Sequence, residues 1–411
     1  LFFSFICSQA SVLDLNGQGK LYYNFEPSSI SIGDSWLFSC NENNTTINSL
    51  TSLAGEQRSA IRMFTSFNRL SIIDGIEQNS QSINLLGFTF PVSKMSIIHF
   101  GVSPFSKSNF EIISDNYLLV PGDEGNSPIA YTNKYSINGG ISQFNIAFAT
   151  KKLDSYSIGF KWEKLFGNQF IDYKNYTYSI DYNQFEEPEY ILIDSSFSVT
   201  NRNYNGSNIG IDYRLYFDEE STIALLTKFS VHSSILQSYH VKVISDYYVN
   251  EIHSADKKNE LNKFQLINLA FGYSRLLKNS YKVNLEYHYA NPLNYNNNFM
   301  LFGQSSHVFR SIHTGISKQI NLPKMRLVNS LSLGLGGSIK QIDVGDDNIY
   351  DFNLSFGSSI EYAKNSQSFD LSFQIGEIVN PMDKISSEKY ININLGIMAS
   401  DFWFINNRRG N

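Results

Sequence analysis

Long apolar runs are missing from this chain. No stretch of about 18 apolar residues occurs, and a helix that crosses a bilayer needs about 20. The mean hydropathy is -0.23, although 42% of the 411 residues are hydrophobic. The sequence therefore excludes a helical membrane protein.

Charge and cysteine are also scarce. Asp, Glu, Lys and Arg together make up 17% of the chain, and the net charge is only -6. Nucleic-acid binding calls for a concentrated basic patch, so we expect no nucleic-acid partner. The 2 cysteines are Cys7 and Cys40. We expect Cys7 to be removed with a leader, which leaves no intramolecular disulfide.

An alternation of apolar and polar residues returns from about residue 60 to the end of the chain. Its clearest apolar rows are Tyr281, Val283, Leu285, Tyr287 and Tyr289, and Tyr156, Ile158, Phe160 and Trp162. Successive side chains of a strand point to opposite faces, so each segment has one apolar and one polar face. Many such segments of about ten residues are typical of a transmembrane β-barrel.

We predict an all-β fold, a transmembrane antiparallel β-barrel of about 14 strands, with 12–16 allowed. The candidate strands are 60–73, 80–90, 94–105, 128–138, 154–164, 171–183, 189–201, 207–218, 221–232, 264–276, 281–290, 308–319, 327–341, 350–362, 368–379 and 389–400. Residues 106–127 and Glu251–Lys263 are expected to be loops, and Asn205-Gly206 to be a hairpin turn. A soluble sandwich or propeller, with its apolar face inward, is the alternative.

The chain divides into three expected parts. Residues 1–10 resemble a truncated signal peptide, with cleavage before Ser11. A lipoprotein signal acylated at Cys7 and a buried apolar strand are the alternatives. Residues 11–58 lack sustained alternation and are expected to form a hatch in the lumen or a periplasmic segment. Residues 59–411 are expected to form the barrel.

Side chains that carry chemistry are dispersed. The seven histidines are His99, His232, His240, His253, His288, His307 and His313. Their spacing lacks a metal-ligand pattern, and His288 falls on the polar face of its strand, where a position in the lumen or at the rim is expected. The acidic groups 186–189 and 218–220 fall at turns, as solvated carboxylates do. We therefore predict a protein that is not an enzyme, with no catalytic, cofactor-binding or metal-binding residue, and assign no ligand-binding residue.

Four stretches resemble FadL-like (OMPP1/FadL/TodX-type) outer-membrane barrel proteins of Bacteroidota and related marine bacteria. They are Gly17–Tyr23, Ser136–Phe144, Leu165–Asn168, and Tyr390–Gly396 followed by Asp401–Ile405. The resemblance covers nearly the whole mature chain. It implies a barrel of about fourteen strands in the bacterial outer membrane, with an N-terminal hatch. It also implies passive uptake of small hydrophobic molecules, of the fatty acid or aromatic hydrocarbon type, through a lateral opening in the wall. Membrane lipid and a hydrophobic small molecule are the implied partners.

One departure separates this chain from that family. The family's hatch usually carries Asn-Pro-Ala, whereas the equivalent stretch here is Ser49–Ala54, which lacks Asn-Pro. No hatch or ligand residue is therefore carried over. Two other hypotheses stay open. One is a non-transporting accessory barrel that partners other envelope proteins, as in type IX secretion. The other is a lipase built on the barrel wall, whose residues would be dispersed in sequence.

Overall fold

The structure is a computed structural model. It describes residues 20–21, 23–41, 45–72, 77–122, 125–152, 155–182, 188–245, 249–253, 257–261, 264–291, 308–322, 328–344, 347–362, 366–379 and 387–401. Within these ranges, no helix is long and apolar enough to cross a membrane.

Seventeen strands make up most of the described chain. In chain order they are β1 Lys20–Leu21, β2 Ser59–Ile72, β3 Glu77–Pro91, β4 Ser96–Gly122, β5 Gly125–Lys152, β6 Tyr156–Tyr182, β7 Pro188–Tyr216, β8 Ser221–Ser245, β9 Val249–His253, β10 Lys257–Leu261, β11 Gln265–Leu276, β12 Tyr281–Ala290, β13 Val308–Asn321, β14 Val328–Val344, β15 Asp347–Tyr362, β16 Gln367–Val379 and β17 Glu388–Asp401. The helical elements are α1 Pro27–Ile30 and the 3-10 turns Leu50–Ser52 and Lys278–Ser280.

Fourteen of these strands close into an antiparallel barrel. Each barrel strand pairs with the next along the chain, and β17 pairs with β2 from Glu388↔Ile72 to Asp401↔Ser59. β11, β10 and β9 pair in turn with successive stretches of β8. The barrel predicted from the sequence is confirmed. Closure is required because hydrocarbon offers no partner to an open strand edge.

The wall is apolar outside and polar inside. In β12, Leu285 is 54% exposed and Tyr287 41% exposed, whereas Glu286 and His288 are buried. The same alternation recurs in β13, where the exposed Ile312 and Thr314 flank the buried His313. The period of two therefore sorts lipid-facing residues from lumen-facing ones.

Several turn predictions are wrong. β4 runs through the expected loop 106–127 as far as Gly122, and β5 begins at Gly125. Asn205-Gly206 lies inside β7, where the two residues pair with Phe166 and Leu165 of β6. Pairing along both neighbours of β7 prevails over the local turn preference. The candidates 154–164 and 171–183 are both part of β6, and 189–201 and 207–218 are both part of β7. β10 likewise falls within the stretch 251–263 expected to be a loop, and β9 extends into it as far as His253.

Residues 23–41 and 45–58, here called the lumen segment, lie inside the barrel. α1 packs against β15, β16 and β17, and the 3-10 turn Leu50–Ser52 packs against β5, β6 and β7. Pro27 suits the first position of α1, where its missing N–H costs no helical hydrogen bond. Opposite sides of the wall therefore touch one inner segment.

A charge placed on the outer face tests the lipid-facing assignment. Leu285→Arg should destabilise the barrel by about 2–4 kcal/mol, because Leu285 lies in the middle of β12 and faces outward. Ile320→Arg, on the outward face near the end of β13, should cost about 0–1 kcal/mol. Denaturant unfolding in lipid vesicles measures both, and equal costs would contradict the assignment.

Candidate functional site

The wall opens between β3 and β4. These strands pair only between Leu86–Pro91 and Ile97–Val102. Further along, Glu77–Leu85 pair with β2, and β4 pairs with β5 as far as Gly122. Among the described residues, no strand joins β3 to β4 beyond Leu86 and Val102.

Pro104 accounts for the start of this opening. Proline has no backbone N–H, so it cannot complete a sheet ladder and is confined to edges and bulges. The pairing of β4 with β5 shifts register between Pro104 and Ser106. The free side of β4 is then taken over by β1, whose Lys20 and Leu21 pair with Lys107 and Ser106.

The opening begins within the depth of the bilayer. A strand crosses the apolar layer in about 9–11 residues, and β4 starts at Ser96. Ser103 therefore lies within the crossing portion of β4. An opening at this depth faces hydrocarbon rather than water.

A small cavity lies behind the opening, bordered by Leu85, Ser103 and Phe105 from the two separated strands. Its volume is about 40 Å³, which is room for a few water molecules. The apolar lining residues include Phe25, Ile47 and Leu226, and the polar ones include His99, Gln143, Asn145, Lys161 and Lys228. The lining of the cavity thus combines apolar and charged side chains.

Two ammonium groups that line the cavity, those of Lys161 and Lys228, lie beside the carboxylate of Glu163. Glu163 is fully buried, and Lys228 Nζ lies 2.8 Å from its Oε1. Lys161 Nζ lies 3.7 Å from the same oxygen, and Asn208 Nδ2 donates to Oε2 at 3.3 Å. Asp212 also acts on Lys161, and Arg214 acts on Asp212, so the cluster holds three cationic groups and two carboxylates.

Two amide oxygens beside this cluster lack partners. Gln143 Oε1 and Asn145 Oδ1 are buried without a hydrogen bond to any described residue. A buried acceptor without a donor costs about 1–3 kcal/mol. The cavity therefore suits a molecule, or waters, that can offer both donors and an acceptor.

Glu286 fastens the lumen segment to β12. Its carboxylate accepts hydrogen bonds from Ser35 Oγ and from the backbone N–H groups of Trp36, at 2.9 Å, and Leu37, at 3.3 Å. His288 Nε2 lies 2.7 Å from the same carboxylate. Backbone groups that no helix or sheet satisfies are thus satisfied by a wall carboxylate.

Two histidines extend this contact. His313 Nδ1 lies 2.6 Å from the Gly33 carbonyl oxygen, and His313 Nε2 lies 2.7 Å from Ser311 Oγ. The Trp36 ring stacks on His288 with centroids 4.1 Å apart. The structure therefore brings His288 and His313 together on the lumen side of the wall.

The other histidines do not join this pair. His99 contacts Thr89 Oγ1 at 3.2 Å on the opposite side of the lumen. His232 and His240 lie along β8, whereas the side chain of His253 and the whole of His307 fall outside the described residues. Within the described ranges, no group of three His, Cys, Asp or Glu side chains could hold a metal ion.

A second wall carboxylate fixes the other half of the lumen segment. Asp212 accepts hydrogen bonds from Ser49 Oγ and from the Thr51 backbone N–H, both at 3.0 Å. Arg214, two residues further along β7, donates to the Leu37 carbonyl oxygen and to Ser49 Oγ. Asp212 and Arg214 thus hold the 3-10 turn Leu50–Ser52 against the barrel wall.

Burial perturbs two groups of the lumen segment itself. Burial raises the pKa of Glu26, although Arg62 and the Ile47 N–H, which donates to Glu26 Oε2 at 3.0 Å, act in the opposite direction. Burial also raises the pKa of the Cys40 thiol to about 12. A buried, protonated thiol reacts slowly with electrophiles, because the thiolate is the nucleophile.

The sequence alone did not single out Glu163, Asp212 or Glu286. The only signal was their position, because each lies on the polar face of a strand in which apolar and polar residues alternate. A charged side chain on that face can meet water, a cargo molecule or a plug, and the pattern does not distinguish these.

Loss of the Glu286 charge should loosen the lumen segment. Glu286→Gln keeps the size of the side chain, but its NH2 group would face the N–H and O–H donors that the carboxylate now binds. The substitution also removes hydrogen bonds to a charged group, each of which is worth about 1.5–3 kcal/mol. We expect Cys40, now 2% exposed, to react faster with maleimide, as followed by peptide mass spectrometry. Glu377→Gln on the outer face of β16 is the control. An unchanged rate in Glu286→Gln would show that this carboxylate does not hold the segment.

Comparison with known proteins agrees with this architecture. The chain resembles the Pseudomonas putida toluene transporter TodX (10% identity, 94% of this chain and 99% of that chain, TM-score 0.53). It also resembles the Ralstonia pickettii toluene transporter TbuX (9% identity, 94% and 99%, TM-score 0.53) and a Pseudomonas aeruginosa FadL homologue (8% identity, 96% and 99%, TM-score 0.50).

At these identities the likeness concerns the fold, and it confirms the FadL-like architecture predicted from the sequence. No curated protein matches the chain. The BamG family model matches residues 51–409, which is most of the chain. The chain belongs to the BamG family.

Proposed function

We propose that this protein is an outer-membrane channel through which small hydrophobic or amphiphilic molecules pass by diffusion between the lumen and the bilayer. The observation that carries the proposal is the opening between β3 and β4, which lies at bilayer depth directly in front of an internal cavity. A molecule leaving the lumen here enters hydrocarbon without crossing water. The lumen segment then acts as the plug, and no catalytic step is assigned.

The chemistry of the cavity favours a particular kind of cargo. Phe25, Ile47 and Phe105 offer an apolar surface, and within the described part of the chain the ion pair of Lys161 is a long one, at 3.7 Å to Glu163. An anionic head group beside Lys161 would neutralise the excess positive charge of this cluster. An amphiphile with a carboxylate head and an apolar tail fits both surfaces.

The cavity is closed to such a molecule as it stands. A volume of about 40 Å³ holds waters rather than a hydrocarbon chain, because an apolar cavity that binds benzene measures about 150 Å³. Passage therefore requires a shift of the lumen segment. Such shifts are common in channels and transporters that alternate between closed and open states.

Blocking the opening tests the route. Ser103→Trp would fill the space between the separated strands, and we expect uptake of dodecanoate to fall at least fivefold in cells that cannot otherwise import it. Leu86→Trp, which is on the lipid-facing side of the last paired position, is the control and should leave uptake unchanged. Equal rates for both variants would place the route elsewhere.

Removing the Lys161 charge tests the cargo class. Lys161→Met should weaken binding of dodecanoate about tenfold, since a charge-assisted hydrogen bond is worth about 1.5–3 kcal/mol. Binding of dodecanol, which has the same tail, should not change. Trp36 lines the cavity, so its fluorescence in detergent reports both ligands. Lys164→Met, on the outward face of the same strand, is the matched control. If Lys161→Met weakened the binding of dodecanoate and dodecanol equally, Lys161 would have no role in binding the head group.

A second candidate is an accessory barrel that partners other envelope proteins. β4, β5, β6 and β7 have 27, 28, 27 and 29 residues, far more than the 9–11 or so that cross a bilayer. Their upper parts stand as a wall beyond the membrane. Charges there point outward, as in the Lys134–Glu111 and Lys242–Glu251 ion pairs.

The inner face of this wall has a different composition. Between Arg202 and Asp194 the inward positions of β5 to β8 are uncharged, and most are tyrosine, asparagine, serine or threonine; they are Tyr131, Asn133, Tyr135, Ile137, Ile171, Tyr173, Asn175, Thr177, Ser196, Ser198, Thr200, Tyr239, Val241 and Val243. Tyrosine combined with small polar residues is favoured in protein-binding surfaces. A barrel with this role alone would carry no dodecanoate, so the uptake experiment separates the two candidates.

A further inference from the structure

Two amide side chains of β5 face the cavity behind the opening. Gln143 and Asn145 line it, and they are 6% and 3% exposed. Gln143 Nε2 donates to Ser103 Oγ at 2.8 Å, so this amide is already held by β4. Neither Gln143 Oε1 nor Asn145 Oδ1 accepts a hydrogen bond within the described part of the chain. The cavity wall therefore presents two buried acceptors that need donors.

Asn145 lies diagonally across from Lys161 on the inner face of the wall. Lys161 pairs with Ala147 of β5, which is two residues from Asn145. Positions related in this way lie about 7–8 Å apart, within reach of a long side chain. The direct neighbours of Lys161 on β5 and β7 are the small Ala147 and Gly210. A polar group only a few bonds long can therefore meet the Lys161 ammonium and the Asn145 amide together.

Gly101 leaves space beside the Asn145 amide. It pairs with Asn145 across β4 and β5, and a Cβ atom there would lie 3.1 Å from Asn145 Nδ2 and 3.2 Å from Asn145 Oδ1. The same atom would lie 2.8 Å from Nε2 of His99, which also lines the cavity. Any side chain at this position would crowd the amide, so the glycine keeps room there for a small polar group.

The two acceptors follow the route from Lys161 to the opening. Asn145 and Gln143 occupy successive inward positions of β5, and Gln143 pairs with Ser103, which borders the opening. A strand advances about 3.3 Å per residue, so the two positions are about 7 Å apart along the wall. A donor that leaves Asn145 toward the opening therefore meets Gln143 next.

A plain carboxylate does not satisfy these oxygens. An ionised carboxyl group only accepts hydrogen bonds, whereas a hydroxyl group both donates and accepts them. Dodecanoate beside Lys161 would leave Asn145 Oδ1 and Gln143 Oε1 without donors once the cargo displaces water from the cavity. A site that binds a ligand hydroxyl discriminates strongly against the analogue that lacks it, because the buried polar groups of the site are then left unpaired.

We propose that the preferred cargo is a hydroxy acid, an amphiphile with a carboxylate head, an apolar tail and a hydroxyl group on the third carbon. The inference rests on the proposed channel and specifies what the channel selects. The carboxylate binds at Lys161, and the hydroxyl, a few bonds away, donates to Asn145 Oδ1. On the way to the opening the hydroxyl moves to Gln143 Oε1, while the tail enters hydrocarbon.

Binding to the purified full chain tests the role of the hydroxyl. Calorimetry in detergent measures the Kd of dodecanoate, 3-hydroxydodecanoate and 12-hydroxydodecanoate. We expect 3-hydroxydodecanoate to bind about tenfold tighter than dodecanoate or more, since it alone offers a donor to the buried amides. 12-Hydroxydodecanoate has the same composition but carries its hydroxyl at the far end of the tail, and it should bind no tighter than dodecanoate.

One substitution separates the acceptor from general packing. Asn145→Leu removes the amide oxygen at nearly constant volume, and the preference for 3-hydroxydodecanoate over dodecanoate should fall to less than about twofold. Asn138→Leu, at an exposed outward position of the same strand, is the matched control and should keep the full preference. Heat-modified migration on gels confirms that each variant is folded.

Two results would overturn the inference. One is equal affinity of the native chain for dodecanoate and 3-hydroxydodecanoate, as expected if water serves the two amide oxygens. The other is a preference that survives in Asn145→Leu. Either result leaves the channel proposal in place as long as dodecanoate binding depends on Lys161. Failure of the native chain to bind any of the three acids would remove both proposals.

Discussion

The need to satisfy every backbone hydrogen bond in hydrocarbon governs the rest of this structure. An unpaired N–H or C=O in lipid costs several kcal/mol, so β17 must return to β2 and close the wall. Closure creates a lumen, and the alternation of the strands then sends polar side chains into it. Buried carboxylates such as Glu286 and Asp212 are consequences of that geometry, and they need partners of their own.

The same constraint makes the opening between β3 and β4 informative. Breaking a ladder at bilayer depth is unfavourable unless protein covers the exposed edge, and here β1 pairs with Ser106 and Lys107 of β4 while Leu85 and Phe105 close the inner side. Pro104 cannot donate to a ladder in any case. The wall is therefore interrupted next to a residue that has no backbone N–H to donate. The edge of β4 just beyond that residue is paired with β1.

The barrel could be predicted from sequence because its signal is repetitive. The strands β11 to β17 are short, alternate strictly, and begin and end within a few residues of the predicted bounds. The boundaries of β4 to β7 could not be predicted correctly. The upper parts of these strands lie beyond the bilayer, where both faces meet water, and the alternation of apolar and polar residues is therefore weaker there. Asn205-Gly206 shows the consequence: a strong local turn signal is overruled by pairing on both sides. The contacts of Glu286 and Asp212 with the lumen segment could not be predicted, since they join residues 161 to 251 positions apart.

The lumen segment has little structure of its own, and this limits how the barrel can open. Its one α-helix has 4 residues, too few to be stable alone. The wall carboxylates Glu286 and Asp212 satisfy backbone groups at Trp36, Leu37 and Thr51, so the segment is folded by the barrel that surrounds it. Expelling it would leave both those carboxylates and those backbone groups without partners. A local shift that widens the cavity beside Lys161, with the Glu286 and Asp212 contacts kept, costs far less than release of the whole segment.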